Sequence, residues 1–540
     1  FSWENFSLFN SITVSDFDDL RSGTLRPLDY PDFGKRFTYV RNVNGVDRVD
    51  SSKDVNVQRS TGYQQLNALQ KIGWKVNDDI EVTNSFHFTT SGDIPRYDRL
   101  TQLNPDSSFR FGDWHYGPQT WVLNALNVKL SNKNALYDVL NITPAYQFFN
   151  EERVSRRFGQ VDESHRIEKV QLITTNVDAD KQLNDDQSIL YGLEFAFNTV
   201  NSTAFQQNIN TNTKSPESTR YPDGGSTYNT SAAYISFEQK IDDRYIFSAG
   251  TRYSYVSLNS KFEDSTFFSF PYDEINLKTG ALNGSVGLVF TPTKAVQVNG
   301  ILSTGFRAPN IDDIGKVFDS QPGVLVVPNP GLKSEYAYNG ELGFIIRKGR
   351  LKAEVNGFYT VLTNAIVRRP FTFNGQDSVV FEGQISEVQA LTNTGQAVIS
   401  GFSTTLKYSF TKDLVFSTSG TYVQGRDLDG DLPLRHVSPP FGLTSLRYDQ
   451  EQYSFEFYAR YSGGIKAEDL APSEQGKPHV YPAGGALPWY TLNIKTSLSP
   501  KPNLTLQIGV ENLLDLHYRT YSSGISAAGR NFILGLRASF

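Results

Sequence analysis

The sequence predicts an all-β fold, one transmembrane antiparallel β-barrel spanning residues 1–540. Three observations carry that expectation. The final stretch alternates: Phe532, Leu534, Leu536, Ala538 and Phe540 form an apolar set, opposed by Asn531, Ile533, Gly535, Arg537 and Ser539. Period-two alternation means a strand between two different environments, which in a membrane barrel are lipid and a wet lumen. Short polar turns recur about every 50 residues. Between them lie long loops rich in Gly, Pro, Asp, Asn and Ser, and short turns facing long loops are the asymmetry of a transmembrane barrel.

In chain order, the turns are at residues 77–79, 131–134, 184–186, 242–243, 291–294, 347–350, 411–413, 448–451 and 499–503, each with tight-turn chemistry. The long loops are expected near residues 17–60, 91–118, 152–170, 200–230, 257–280, 305–335, 363–395, 424–440, 463–488 and 516–528. Two strands before the first turn, sixteen between turns and two after the last give twenty. The intervening runs agree. Leu8, Ile12 and Val14 alternate with Phe9, Ser11, Thr13 and Ser15. From Leu351 onward, Ala353, Val355 and Tyr359 oppose Lys352, Glu354 and Phe358. A Lys facing lipid at mid-depth costs about 2–4 kcal/mol, which keeps Lys352 and Glu354 on the lumen face.

Composition narrows the function classes. Hydrophobic residues are only 38% and mean hydropathy is -0.40, with no run near the ~18 apolar residues of a spanning helix. Aromatics reach 13%, which suits interfacial girdles. Net charge is -6 with no long basic run, so nucleic acid is not an expected partner. No Cys is present, which removes disulfides and thiol chemistry. No GxSxG, P-loop or HExxH motif occurs, so neither an enzyme nor a resident cofactor is expected.

From Thr304 the chain resembles a known family. Thr304 to Asn310 (TGFRAPN), Val327 to Leu332 (VPNPGL) and Glu335 are similar to the FRAP and NP-x-L boxes of TonB-dependent outer-membrane receptors of the haem, haemoglobin and transferrin subgroup. Pro95 to Gln102 (PRYDRLTQ), Trp114 to Gln119 (WHYGPQ), Thr219 to Gly225 (TRYPDGG) and Val510 to Gly524 match it too. The resemblance implies a 22-strand barrel closed by an N-terminal plug. Against it, twenty strands are visible and no plug. The expectation is therefore that plug and first hairpin precede Phe1, that Trp3-Glu4-Asn5 is the turn after that hairpin, and that the last strand and Phe6 to Val14 are not joined by a regular ladder; the alternatives are a turn overlooked in the count and a barrel without a plug.

The resemblance also implies function: an importer in the bacterial outer membrane that captures an iron chelate, siderophore or haem-type, as cargo. The TonB–ExbB–ExbD complex would supply energy through the plug. Outer-membrane lipid surrounds the barrel, and a surface lipoprotein is a further candidate partner. The alternative is a structural or passive-pore barrel within a larger envelope assembly. Haem receptors of this kind are expected to carry a ligating His between the two boxes, whereas Ile311 to Pro328 contains none. The candidate ligand-binding residues are Arg96, Tyr97, Trp114, His115, Tyr116, Arg307 and His479, with no metal site. Arg beside aromatic rings suits an anionic chelate, because the guanidinium fork matches carboxylate geometry. Arg307 and Glu335 would brace the loop between the boxes. Asp312 and Asp313 are expected to cap a turn rather than act as an acid–base pair.

Overall fold

All nine polar turns close antiparallel hairpins. In the computed structural model, which describes residues 1–267, 269–321, 323–381 and 383–540, 24 strands share one sheet. Four are short loop strands, Ile94–Pro95, Phe111–Tyr116, Lys214–Pro216 and Leu432–Pro433. The remaining twenty pair in chain order from Phe6–Phe17 to Asn531–Ala538, as the turn count requires.

The wall is apolar outside. Leu282, Leu302, Phe532, Leu534 and Leu536 are all about 70% exposed or more, on strands whose alternate residues are polar or small. Aromatic pairs sit beside the turns: Tyr245 stacks on Phe290 at 4.6 Å and Tyr408 meets Phe410 at 5.0 Å. These are the rings of an interfacial girdle. Lys352 pairs with Glu354 at 2.6 Å, two residues apart and so on one face, as the alternation requires. The buried apolar clusters lie instead in the loops and the strand ends that carry them: Leu258 and Ile275, near the ends of wall strands, join Ile311, Ile314 and Leu332 in one, and Leu325, Val327, Val388 and Ala390 form another.

The loop expected at 152–170 is a correction. Val139–Arg157 and Asp162–Asn184 continue as strands, leaving only residues 158–161 as the tip. The second has 23 residues, roughly 75 Å at ~3.3 Å per residue, where ~9–11 residues cross a bilayer. No Gly or Pro interrupts 152–157, and cross-strand charge pairs such as Arg153–Glu168 at 2.8 Å favour the ladder over a loop. Gly159 takes a positive φ of 75° at the tip. The loops expected at 200–230 and 257–280 shrink for the same reason, since the strands run to Asn208 and Lys261.

Among the described residues no ladder joins Phe6–Phe17 to Asn531–Ala538. The loops after the first strand and before the last one meet instead: Gln58 Nε2 donates to the Ser526 carbonyl and Ser526 N to Gln58 Oε1, both at 2.8 Å. Phe1 and Leu8 exchange two backbone hydrogen bonds of 2.8 Å, so Trp3-Glu4-Asn5 does form a turn.

Candidate functional site: an arginine–aromatic chamber

Loop residues and the tall wall converge at the mouth of the barrel. Ile94–Pro95 pairs with His115 and Tyr116 of Phe111–Tyr116, which itself pairs with Val139–Arg157. This places Arg96 over Trp114 at 5.0 Å and over Tyr116 at 5.3 Å, within cation–π range. Its Nη1 donates to Tyr116 Oη at 2.5 Å, and Nε and Nη2 donate to both oxygens of Asp98 at 2.8 Å. Burial opposes the charge, but Asp98 holds Arg96 above its ordinary pKa. Arg96 is thus a braced cation.

The other sequence candidates separate. Tyr97 opens the one-turn helix Tyr97–Leu100 and is 2% exposed, beneath Arg36, so its hydroxyl faces packing. His115 lies on the short strand Phe111–Tyr116 within its loop. Alternation puts it on the face opposite Trp114 and Tyr116. There its Nδ1 is 3.2 Å from Asp113 Oδ1; burial opposes protonation, but Asp113 raises the imidazole above its usual value. Burial pushes His479 down to about 4, so it is neutral at pH 7. Arg307 is committed to two carboxylates, Glu335 at 2.6 Å and Asp313 at 2.6 Å. Asp313 closes a capping box with Asn310 on the helix Ile311–Ile314, the capping role expected of this pair.

Sequence reading missed the chamber beyond Trp114. Its walls hold Arg99, Arg153, Arg166 and Arg220 with Phe111, Phe318 and Phe381, and no carboxylate among the described lining residues. Their counter-ions stand behind: Glu168 on Arg153 at 2.8 Å, Glu217 on Arg166 at 3.3 Å and Asp312 on Arg220 at 3.8 Å. Arg153 and Arg166 are directly opposite across the ladder, in one row with Tyr116. Like charges facing across a sheet are destabilising, so this rung holds two cations at a structural cost. The pairing is invisible until the register of 139–184 is known. This cationic, ring-lined cavity is small, about 60 Å³, so it can take a carboxylate-sized anionic group by charge while the flat body of a larger ligand stays outside it.

Compared with known proteins, residues 49–513 match the family described as TonB dependent receptor-like, beta-barrel. The chain belongs to that family. It is therefore a strand-built barrel of the bacterial outer membrane, and among the described residues no helix is long and apolar enough to cross a membrane. Over 261 residues it is 30% identical to a probable hemoglobin and hemoglobin-haptoglobin-binding protein 4 of Haemophilus influenzae, covering 45% of this chain and 25% of that protein. A lactoferrin-binding protein A of Neisseria meningitidis is 23% identical over 53% of the chain and 35% of its own length. This TonB-dependent barrel thus spans only about a quarter to a third of those relatives. Among solved structures it resembles the copper transporter OprC, with TM-score 0.75, 14% identity and coverage of 99% of this chain and 76% of that one. The FrpB iron transporter from Neisseria meningitidis gives TM-score 0.70 and 15% identity, covering 100% and 79%. At these identities the likeness is one of fold.

Proposed function

We propose that this chain is the barrel of an energy-coupled receptor that captures an anionic iron chelate, of siderophore or haem type, and passes it through the lumen. The observation that carries the reading is the chamber: four arginines around Trp114 and Phe318, with the counter-ions of Arg153, Arg166 and Arg220 outside its lining. Such a site favours a ligand bearing carboxylate, catecholate or propionate groups on a flat body. The names of the relatives above, which bind hemoglobin or lactoferrin, support iron as the cargo. Import would draw on TonB with ExbB and ExbD through a plug domain, and a surface lipoprotein would serve capture where the iron source is a protein. No covalent step is involved.

Spectral titration of the full-length protein with haemin, a ferric siderophore and cobalamin tests this. The expected result is saturable Trp quenching or a Soret shift with one anionic iron ligand, weakened at least tenfold in Arg166→Gln. Binding of cobalamin alone, or of none of the three, overturns it and favours a structural or passive-pore barrel.

A further inference from the structure

The barrel wall splits at one place. Val296–Arg307 pairs with Glu335–Lys348 from its first residue to its last. On its other side, its ladder with Glu274–Thr293 stops, among the described residues, at Ser285 opposite Ser303. The next residues toward the loops, Gly284 and Thr304, are neighbours without a backbone pair. Gly284 N donates instead to Thr304 Oγ1 at 2.9 Å, and Thr251 Oγ1 donates to the Asn283 carbonyl at 3.1 Å. Threonine hydroxyls thus satisfy backbone groups where the ladder ends, as a bilayer requires of any spanning wall.

The outer face is hollow at the same place. Thr251, Gly284 and Thr304 make a row of small side chains between Ile235 and Tyr338. The next row toward the turns runs Ala249, Val286, Leu302 and Gly340, ending at the Tyr359 ring. Alternation puts both rows on the face of the exposed Leu282 and Leu302, which is the lipid side. The hollow measures about 880 Å³, against about 60 Å³ for the arginine chamber, and its lining is chiefly apolar. The Thr251 and Thr304 hydroxyls are turned onto the backbone, so their methyl groups are left to face it.

We propose that this groove holds one acyl chain of an outer-leaflet lipid as a resident ligand. The wall around it is already an interface with membrane lipid, and the groove continues that interface inward. Position sets the leaflet: Thr304 lies toward the loop end of Val296–Arg307, and the long loops face the exterior. A second barrel would bring a convex wall and leave the floor uncovered, whereas a thin flexible chain reaches it. An unfilled apolar hollow forfeits dispersion contacts along its whole lining. A chain laid over the split restores those contacts and shields the bond between Gly284 and Thr304 from water.

Native mass spectrometry of the full-length protein, taken from outer membranes and washed in detergent until bulk lipid is gone, tests this. The expected result is one retained lipid per barrel. Gly340→Leu and Thr251→Leu each fill part of the hollow, and a Cβ at Gly340 meets only the flexible end of Leu302, at 3.4 Å. Each variant lowers retention tenfold or more while keeping the heat-modifiable gel mobility of a folded barrel. Leu446→Phe adds apolar bulk to the outer face of Phe441–Asp449, away from the groove, and leaves retention unchanged. No retained lipid in the unaltered protein, equal retention in the folded filling variants, or a bound polypeptide in place of lipid overturns the proposal. None of these variants touches the chamber, so the chelate reading stands or falls separately.

Discussion

At the level of single residues, charge placement decides what each candidate can do. Arg307 braces rather than binds: its guanidinium spans Glu335 and the buried Asp313. Arg307→Met leaves the 8% exposed Asp313 carboxylate without its ion pair and with only the Asn310 amide as donor, which should cost about 1–3 kcal/mol. A lowered melting temperature with faster proteolysis of residues 308–334 would show it; an unchanged loop would contradict the bracing role. His165 is the residue that titrates usefully. Hydrogen bonds to Glu152 at 2.7 Å and to Glu163 push it up to about 9 from 6.5. Because the folded value is raised, its stabilisation is complete below about 6.5 and is lost as pH rises through about 9. Amide exchange at the tip 158–161 should therefore quicken between those values, and Glu152→Gln should flatten the change. The Arg307–Glu335 brace was legible in the sequence as a flanking pair, but Asp313 as its second partner and the carboxylates around His165 were not. The partner arises only when Ile311–Ile314 winds into a turn.

Among the elements, the turns were readable and the tall strands were not. Asn, Asp, Pro and Lys clusters mark the nine hairpins by their own backbone preferences. Residues 152–157 carry no breaker but are rich in charge, so composition alone could not separate solvated loop from solvated ladder; cross-strand ion pairing favours the ladder. The hairpin Thr38–Val43 with Val46–Ser51 shows how such a ladder holds a neighbour. Asp47, 1% exposed, takes both nitrogens of the 3% exposed Arg156 at 2.7 and 2.8 Å and also the Gly159 amide. Breaking a buried pair costs about 3–5 kcal/mol, so Asp47→Ala should release this hairpin without altering the barrel. Protease nicking confined to residues 38–51, with unchanged β-sheet circular dichroism, is the expected outcome. Loss of the barrel signal, or no nicking, would contradict the latch.

For the molecule as a whole, alternation and turn spacing give the barrel, because lipid outside and water inside impose a period of two on every strand. The chamber was half legible. Arg96, Trp114 and Tyr116 were found as an arginine–aromatic set in two segments 18 to 20 positions apart and do meet. Arg153, Arg166 and Arg220 stand 13 to 67 positions apart and reach the same wall only through the register of a long ladder and a folded loop. The central claim is that this wall holds an anionic iron chelate. Anomalous diffraction at the iron edge, from the full-length protein crystallised with the ferric chelate it binds, measures that directly. The account predicts a single iron peak in the chamber among Arg99, Arg166, Arg220 and Trp114, lost in Arg166→Gln. An iron peak on the far face beside His115, or one unchanged in that variant, would contradict it.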